Sequence, residues 1–185
     1  MRKLLATICL LSACSLTLAE TGPLVKKAYV DQKGWVHIAT ADGHDNTIEP
    51  QKWQAGGGFE SVDVALDRRT VGWIADQKLT PLQCATSYSC SVGLELDIWR
   101  YGRVIRRFPA PVLVIQDWTF LKNGKEVAIH VSPMHGQEFY DCTLFDVNTG
   151  KKLAHWALDN KGQRAPDWVE QLLGDSLPAS GRSSN

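Results

Sequence analysis

The sequence predicts an all-β domain of about eleven antiparallel strands followed by one short C-terminal helix. Three observations predict this fold class. Short segments carry apolar residues at every second position, as strands with one buried face do. Turn residues separate these segments at short intervals. Near the C-terminus, a proline and an acidic residue precede an apolar segment, which is typical of a helix start.

The first residues have the pattern of an export signal. Arg2 and Lys3 precede an apolar stretch that is too short to span a bilayer. The small residues of Thr17–Ala19 fit ordinary signal cleavage, whereas Leu11–Cys14 resembles a bacterial lipobox, in which Cys14 is lipidated. Both alternatives stay open, and both predict the periplasm, the second with a membrane anchor. They give a signal peptide of residues 1–19 or of residues 1–13.

Alternation marks the strands of the domain, which we place at residues 20–174. Leu94–Ile98 alternates between apolar and acidic residues, which predicts a half-buried strand. Val62–Leu66 and Val127–Val131 also carry large apolar residues at every second position. The stretch Val112–Ile115 is apolar throughout, which predicts a strand covered on both faces.

Turn residues lie between these strands. Glycine and asparagine supply the backbone conformations that tight hairpins need. We expect such turns at Gln32–Gly34, Asp42–Gly43, Asp67–Arg68, Tyr101–Gly102, Lys122–Gly124 and Asn148–Gly150.

One helix is expected after the last strand. Pro166 suits its first turn, and Asp167 suits the positive end of its dipole. Trp168, Val169 and Leu172 would then cover the sheets. Residues 175–185 are small and polar, which predicts a disordered tail.

Cysteine usage agrees with export. Cys84 and Cys90 flank a five-residue segment, and we expect a disulfide between them that closes a small ring. A zinc site would need a second pair of ligands at suitable spacing. Cys142 is left over, so it is either a free thiol or paired elsewhere.

The chain carries an internal repeat. Val62–Val71 aligns without a gap on Trp118–Val127, and each segment reads as strand, turn, strand. Leu96–Arg103 aligns in the same way on Leu144–Lys151. Each unit therefore has four strands in roughly 50 residues, which is the period of propeller blades.

Two motifs give this repeat a family resemblance. Asn123–Lys125 before an apolar strand, and Phe145–Lys151 further on, resemble WD40-like and TolB-like propeller blades. The resemblance covers residues 59–158 and implies two to three blade-like meanders. These form an incomplete propeller, because a closed ring takes about four blades or more. The N-terminal strands, the C-terminal segment or a partner protein must then cover the open edges and apolar faces.

Charge and motifs exclude several classes of function. Twenty basic and twenty acidic residues give a formal net charge of zero, which argues against nucleic-acid binding. The chain has no Gly-x-Ser-x-Gly, no His-Glu-x-x-His and no phosphate-binding loop, so we assign no catalytic residue, metal or cofactor. A metal-dependent hydrolase remains an alternative because of five histidines. These are His37, His44, His130, His135 and His155.

Aromatic residues and the small ring point to protein binding. Trp73, Trp99, Trp118 and Trp156 fall on expected strands and suit packing between sheets, whereas Trp53 falls in a loop and suits an interface. A disulfide would hold the ring in one shape, which lowers the entropy lost on binding. The expected contact residues are Ser87, Tyr88, Ser89, His135 and Trp53.

In size and build, the domain resembles periplasmic immunity proteins that neutralise type VI cell-wall amidase effectors. This resemblance is architectural, and it carries over no contact residue. It implies a non-enzymatic protein that binds another protein, such as a secreted peptidoglycan hydrolase. An accessory or scaffold subunit of an envelope assembly is the alternative.

Overall fold

The computed structural model describes residues 22–84, 90–110, 112–134, 140–158 and 164–177. In these residues eleven strands form three antiparallel sheets, and one short helix follows them, which confirms the predicted fold class. None of the described helices is long and apolar enough to cross a membrane. Several predictions fall outside the described residues: the signal peptide, lipidation of Cys14, the contact residues Ser87, Tyr88, Ser89 and His135, and tail residues 178–185.

Each sheet is a meander in which strands that follow one another in sequence are neighbours. Sheet A contains β1 (Val25–Val30), β2 (Val36–Thr40) and β3 (Asp45–Ile48). Sheet B contains β4 (Phe59–Val64), β5 (Val71–Leu79), β6 (Cys90–Arg100) and β7 (Arg103–Pro109). Sheet C contains β8 (Val114–Leu121), β9 (Glu126–Ser132), β10 (Asp141–Asp146) and β11 (Lys152–Ala157).

In the described chain, helices and 3₁₀ turns lie in connections between strands or after the last strand. Helix α1 (Pro81–Cys84) leaves β5, and α2 (Asp167–Leu173) follows sheet C. Pro166 is the N-cap of α2, so the predicted helix start is confirmed. The 3₁₀ turns are Lys52–Gln54 and Gly174–Ser176.

The predicted turns all connect consecutive strands of one sheet. As a result, the segments that align in sequence occupy corresponding hairpins. Val62–Val71 spans the β4–β5 hairpin, and Trp118–Val127 spans the β8–β9 hairpin. In the second aligned pair, each segment covers the end of one strand and the turn that follows it, in the β6–β7 and β10–β11 hairpins. The likeness of these meanders to propeller blades stays a proposal.

The three sheets and α2 stack in the order A, B, C, α2, with a separate apolar cluster in each interface. Trp73 and Trp99 fill the A–B interface, and Trp156 packs under α2. Burial of such large apolar surfaces is the main source of stability in a stack of this kind. The B–C cluster contains Ile74, Leu96, Ile98, Phe108, Ala110, Ile115, Val127, Ile129 and Val147.

Because sheet B lies between two layers, both of its faces are buried. The prediction of a half-buried strand at Leu94–Ile98 was therefore wrong for Asp97, which faces sheet A and is 1% exposed. The expectation for Val112–Ile115 was wrong at its start. Strand β8 begins only at Val114, and Val112 is 88% exposed.

The two outer faces of the described stack differ in how they are covered. The outward side of sheet A is polar, with Tyr29 stacked on His37 and Thr47 hydrogen-bonded to His37. At the other end of the stack, Val169 and Leu173 of α2 bury the outer face of sheet C. Leu177 packs in the same cluster, so the folded chain continues past the boundary predicted at residue 174.

Arg100, at the end of β6, joins three hairpin turns. Its buried guanidinium donates hydrogen bonds to Thr70 Oγ1 at 2.8 Å, Asn148 Oδ1 at 2.6 Å and the Gly124 carbonyl at 2.8 Å. The Asp67 carboxylate lies 3.6 Å away and balances the charge. Since these turns belong to sheets B and C, Arg100 fixes how the two sheets align.

A carboxyl pair lies on the other side of β6. Asp97 and Glu95 face sheet A, at 3.4 Å and 3.6 Å from Arg107 Nε. Burial, and then the charge of Glu95, raise the pKa of Asp97 to about 7, although Arg107 opposes this. The folded protein therefore retains a proton on Asp97 that the unfolded chain loses at lower pH.

Replacing Arg100 by glutamine should lower the free energy of unfolding by about 3–5 kcal/mol, because buried partners of a charge are left unmatched. Urea denaturation measures this. Arg103→Gln, an exposed arginine three positions along the chain, is the matched control and should change stability by less than about 0.5 kcal/mol. Equal, small effects of both variants would show that Arg100 does not align the sheets.

Asp97 should make stability depend on pH. Its pKa is higher in the folded state than the ordinary 3.8, so the free energy of unfolding should fall as pH rises from about 4 to about 7. Asp97→Asn cannot ionise and should gain stability relative to the wild type between about pH 5 and about pH 8. Urea unfolding of the wild type and of Asp97→Asn at about pH 5 and about pH 8 measures this difference. The exposed Asp63→Asn is the control. Parallel pH profiles of the wild type and Asp97→Asn would contradict the burial of a protonated Asp97.

Candidate functional site

The two ends of the stacked sheets differ in their connections. Strands of a meander alternate in direction, so successive connections emerge at opposite ends. We call the end that holds the tight turns at 65–70, 101–102, 122–125 and 147–151 the turn end. We call the opposite end the loop end. Its connections join β3 to β4, β5 to β6, β7 to β8 and β9 to β10.

Helix α1 projects from the loop end and is capped by its own sequence. The Thr80 backbone N–H and hydroxyl both donate to Gln83 Oε1 at 2.9 Å, and the Gln83 N–H donates to Thr80 Oγ1 at 3.4 Å. This is a capping box, with Pro81 in the first turn. The arrangement fixes Leu82, whose side chain is 91% exposed.

The Cys84–Cys90 disulfide, which the sequence predicted, is confirmed. It ties the end of α1 to the start of β6, and the Cys90 N–H also donates to Cys84 Sγ at 3.0 Å. Cys84 is buried and Cys90 is half-buried, so the disulfide itself is embedded in the fold. A disulfide of this kind is typical of proteins of an oxidising, non-cytoplasmic compartment.

A cavity of about 410 Å³ opens beside this disulfide. Cys84 and Cys90 line one wall, and Met134 of the β9–β10 connection lines another. Met134 immediately precedes His135 in the sequence. The structure therefore brings together the anchors of the two loops that were predicted to bind. The remaining lining residues are Glu60, Ser91, Val92, Gly93, Val114, Ile115 and Gln116.

One residue that lines this cavity, Glu60, is acidic. Burial, and then the charge of Asp76, raise the pKa of Glu60. Asp76 is buried and accepts a hydrogen bond from the Gly58 N–H at 2.9 Å. No basic side chain in the described chain forms an ion pair with either carboxylate. A cationic group that entered the cavity would therefore be favoured.

Trp53 lies apart from this cavity. It sits on the 3₁₀ turn Lys52–Gln54, which packs against β5, and its side chain is 38% exposed. Gln54 holds the turn by donating from Nε2 to the carbonyl oxygens of Gly58 at 2.5 Å and Asp76 at 3.4 Å. The partly exposed ring suits a contact, but it does not line the cavity with Met134.

The described histidines do not converge. Each contacts a different aspartate, and in the described residues no three metal-ligating side chains form a group that could hold an ion. The pairs are His37–Asp31, His44–Asp42, His130–Asp117 and His155–Asp141.

One arrangement resembles a cysteine nucleophile beside a base. Cys142 is the cross-strand neighbour of His130, which contacts Asp117 at 3.2 Å. Cys142 is nevertheless completely buried beneath α2. Burial, followed by the charges of Asp141 and Asp117, raises the pKa of its thiol to about 12. A nucleophile needs the thiolate and access to substrate, so we regard Cys142 as a core residue.

Sequence reasoning missed Leu82 and Met134. The Thr-Pro-x-Gln pattern around Leu82 is a helix-start signal and could have placed this residue at the surface. Met134 had no local signal, because its role depends on β8 and β9 meeting the start of β6.

Neither a scan of protein-family models nor a search of curated proteins gave a match to the chain. The likeness to propeller blades and to immunity proteins rests on residue pattern and architecture. Both resemblances therefore enter the functional assignment only as proposals.

Removing the disulfide with Cys84→Ser and Cys90→Ser together should lower the free energy of unfolding by about 2–3 kcal/mol, since a short closed loop constrains the unfolded chain. Chemical denaturation measures the loss. A thiol reductant should reproduce it in the wild type and leave the double variant unchanged. If the reductant destabilised both proteins equally, the effect would arise elsewhere.

Proposed function

We propose that the protein is a non-enzymatic binding module of the bacterial envelope, which engages another protein through its loop end. The observation that carries this proposal is the almost complete exposure of Leu82 on a capped, disulfide-anchored helix. An apolar side chain presented by a capped helix beside a disulfide can fill a pocket on a partner with little loss of conformational entropy.

Rigidity strengthens this assignment. Binding costs conformational entropy for every loop that must become ordered. The capping box of Thr80 and Gln83 and the Cys84–Cys90 disulfide fix the base of the connection that carries Tyr88. Tyr88 offers a large contact area with few rotatable bonds, and the neighbouring serines offer hydrogen bonds.

The cavity beside the disulfide adds a chemical preference. Glu60 at its wall and the adjacent Asp76 are acidic, and Met134 provides an adaptable apolar surface. A partner that inserts a lysine or arginine would match both features. A basic side chain at the matching point of the partner's contact surface is therefore expected.

The sheet faces contribute less to binding than the sequence led us to expect. Sheet A presents a polar outer side, and α2 covers sheet C. Binding is therefore assigned to the connections at the loop end.

More specifically, we propose that the protein is an immunity-type inhibitor of a secreted cell-wall-degrading effector. A periplasmic location is supported by the export-type N-terminus, the disulfide and the compact meanders. If Cys14 is lipidated, the protein is anchored to a membrane there. An accessory or scaffold subunit of an envelope assembly would use the same loop end without inhibiting an enzyme.

An assay of cell-wall hydrolysis distinguishes the inhibitor from the accessory subunit. The product of the neighbouring gene, purified and assayed on peptidoglycan, should lose activity when the protein is added at a stoichiometric ratio. Stoichiometric binding without inhibition would favour the accessory subunit. Absence of both binding and inhibition would show that the product of the neighbouring gene is not the partner.

Leu82→Ala should weaken partner binding by about 1.5–3 kcal/mol, the value of a buried leucine. Tyr88→Ala should weaken it by about 2 kcal/mol or more. Calorimetry measures both, and neither change should alter unfolding. Leu66→Ala is the matched control, because Leu66 is 85% exposed but lies at the turn end. Losses below about 0.5 kcal/mol for Leu82 and Tyr88 would contradict binding through the loop end.

A further inference from the structure

A second concave surface lies between β7 and the inner face of sheet C. It encloses about 460 Å³, runs along β7 from Arg106 to Pro109, which is roughly 10 Å of strand, and continues to Ala110. Its volume falls in the range of small-molecule sites. Its other lining residues are Arg107, Phe108, Pro109, Val112, Leu113, Ile115, Ile129, Val131, Thr143, Phe145 and Gly150.

The floor of this groove is apolar. The rings of Phe108 and Phe145 lie 4.7 Å apart between centroids, and Ile129 and Val131 continue the surface along β9. The exposed side chain of Val112 lies at the rim. An alkyl chain laid over these residues would remove apolar surface from water on both sides.

A cation lies at one end of the groove. Arg106 donates from Nη1 to the Ile105 carbonyl at 2.7 Å and from Nη2 to the Asn148 carbonyl. Its Nε is buried and lacks a hydrogen-bond partner among the described residues. In the same part of the chain no carboxylate lies within ion-pair distance, unlike the situation at Arg100 and Arg107. Asp146 is beyond that distance, and its carboxylate accepts hydrogen bonds from Thr149.

We propose that this groove binds a single-chain anionic amphiphile, such as a fatty acid or a lysophospholipid. The alkyl chain would lie along Phe108, Ile129 and Phe145. The carboxylate or phosphate would meet Arg106, whose guanidinium favours such oxyanions. The groove adjoins the loop-end cavity, because Ile115 lines both. This proposal is tested with amphiphiles alone and does not depend on a protein partner.

The groove suits an alkyl chain better than a peptide strand. An added strand would need free backbone groups along the edge of β7. The Ile105 carbonyl already accepts a hydrogen bond from Arg106, and Pro109 has no N–H to donate. An alkyl chain needs neither group.

Titration with sodium laurate below its micelle concentration, followed by amide NMR shifts, tests the proposal on the full domain. We expect saturable binding with a Kd below about 1 mM and shifts centred on Phe108, Val131 and Phe145. A parallel titration with lysophosphatidylglycerol shows whether the site prefers a phosphate or a carboxylate head group. Dodecyltrimethylammonium has an equally long chain with the opposite charge, so it should bind at least about tenfold more weakly.

Variants locate the head group. Arg106→Gln should weaken laurate binding by about tenfold, and Arg103→Gln on the same strand should change it less than about twofold. If Arg106→Gln does not fold, the comparison between the anionic and cationic amphiphiles on the wild type decides instead. Non-saturable binding, equal affinity for both charges, or shifts confined to Leu82 and Met134 would overturn the proposal. Saturable binding of an acidic apolar peptide with no binding of laurate would also overturn it.

Discussion

The buried guanidinium of Arg100 holds the turn end of the molecule together. It links Thr70 of sheet B with Gly124 and Asn148 of sheet C, while Asp67 balances its charge. A buried charge is tolerated only where its hydrogen bonds and counter-charge are in place, so the three turns must adopt one relative arrangement. The alignment of the two sheets, and with it the shape of every surface between them, depends on this interaction.

The layered core follows from that alignment. Sheet B is covered on both sides, which explains why β6 carries large apolar side chains toward sheet C and Trp99 toward sheet A. It also explains why Asp97 is buried, because every second residue of β6 faces sheet A. The polar outer side of sheet A and helix α2 end the stack.

Tight turns form the turn end, and we propose that the binding function lies at the loop end. The disulfide and the capped α1 anchor the start of the β5–β6 connection beside the cavity that Glu60 lines, where we propose that a protein partner binds. The groove beside β7 has a different character, since its floor is apolar and Arg106 at its end lies beyond ion-pair distance of the described carboxylates. The two surfaces would serve different ligands.

The sequence by itself determined the fold class, the hairpin turns, the start of α2 and the Cys84–Cys90 disulfide, because each depends on local spacing and turn chemistry. Only the tertiary structure decided that sheet B is buried on both faces and that Met134 borders the cavity at the disulfide. It also decided that Trp53 lies away from this cavity and that Arg106 lies at one end of an apolar groove. These features depend on which sheet packs on which, and strand periodicity carries no information about the layer that covers a face.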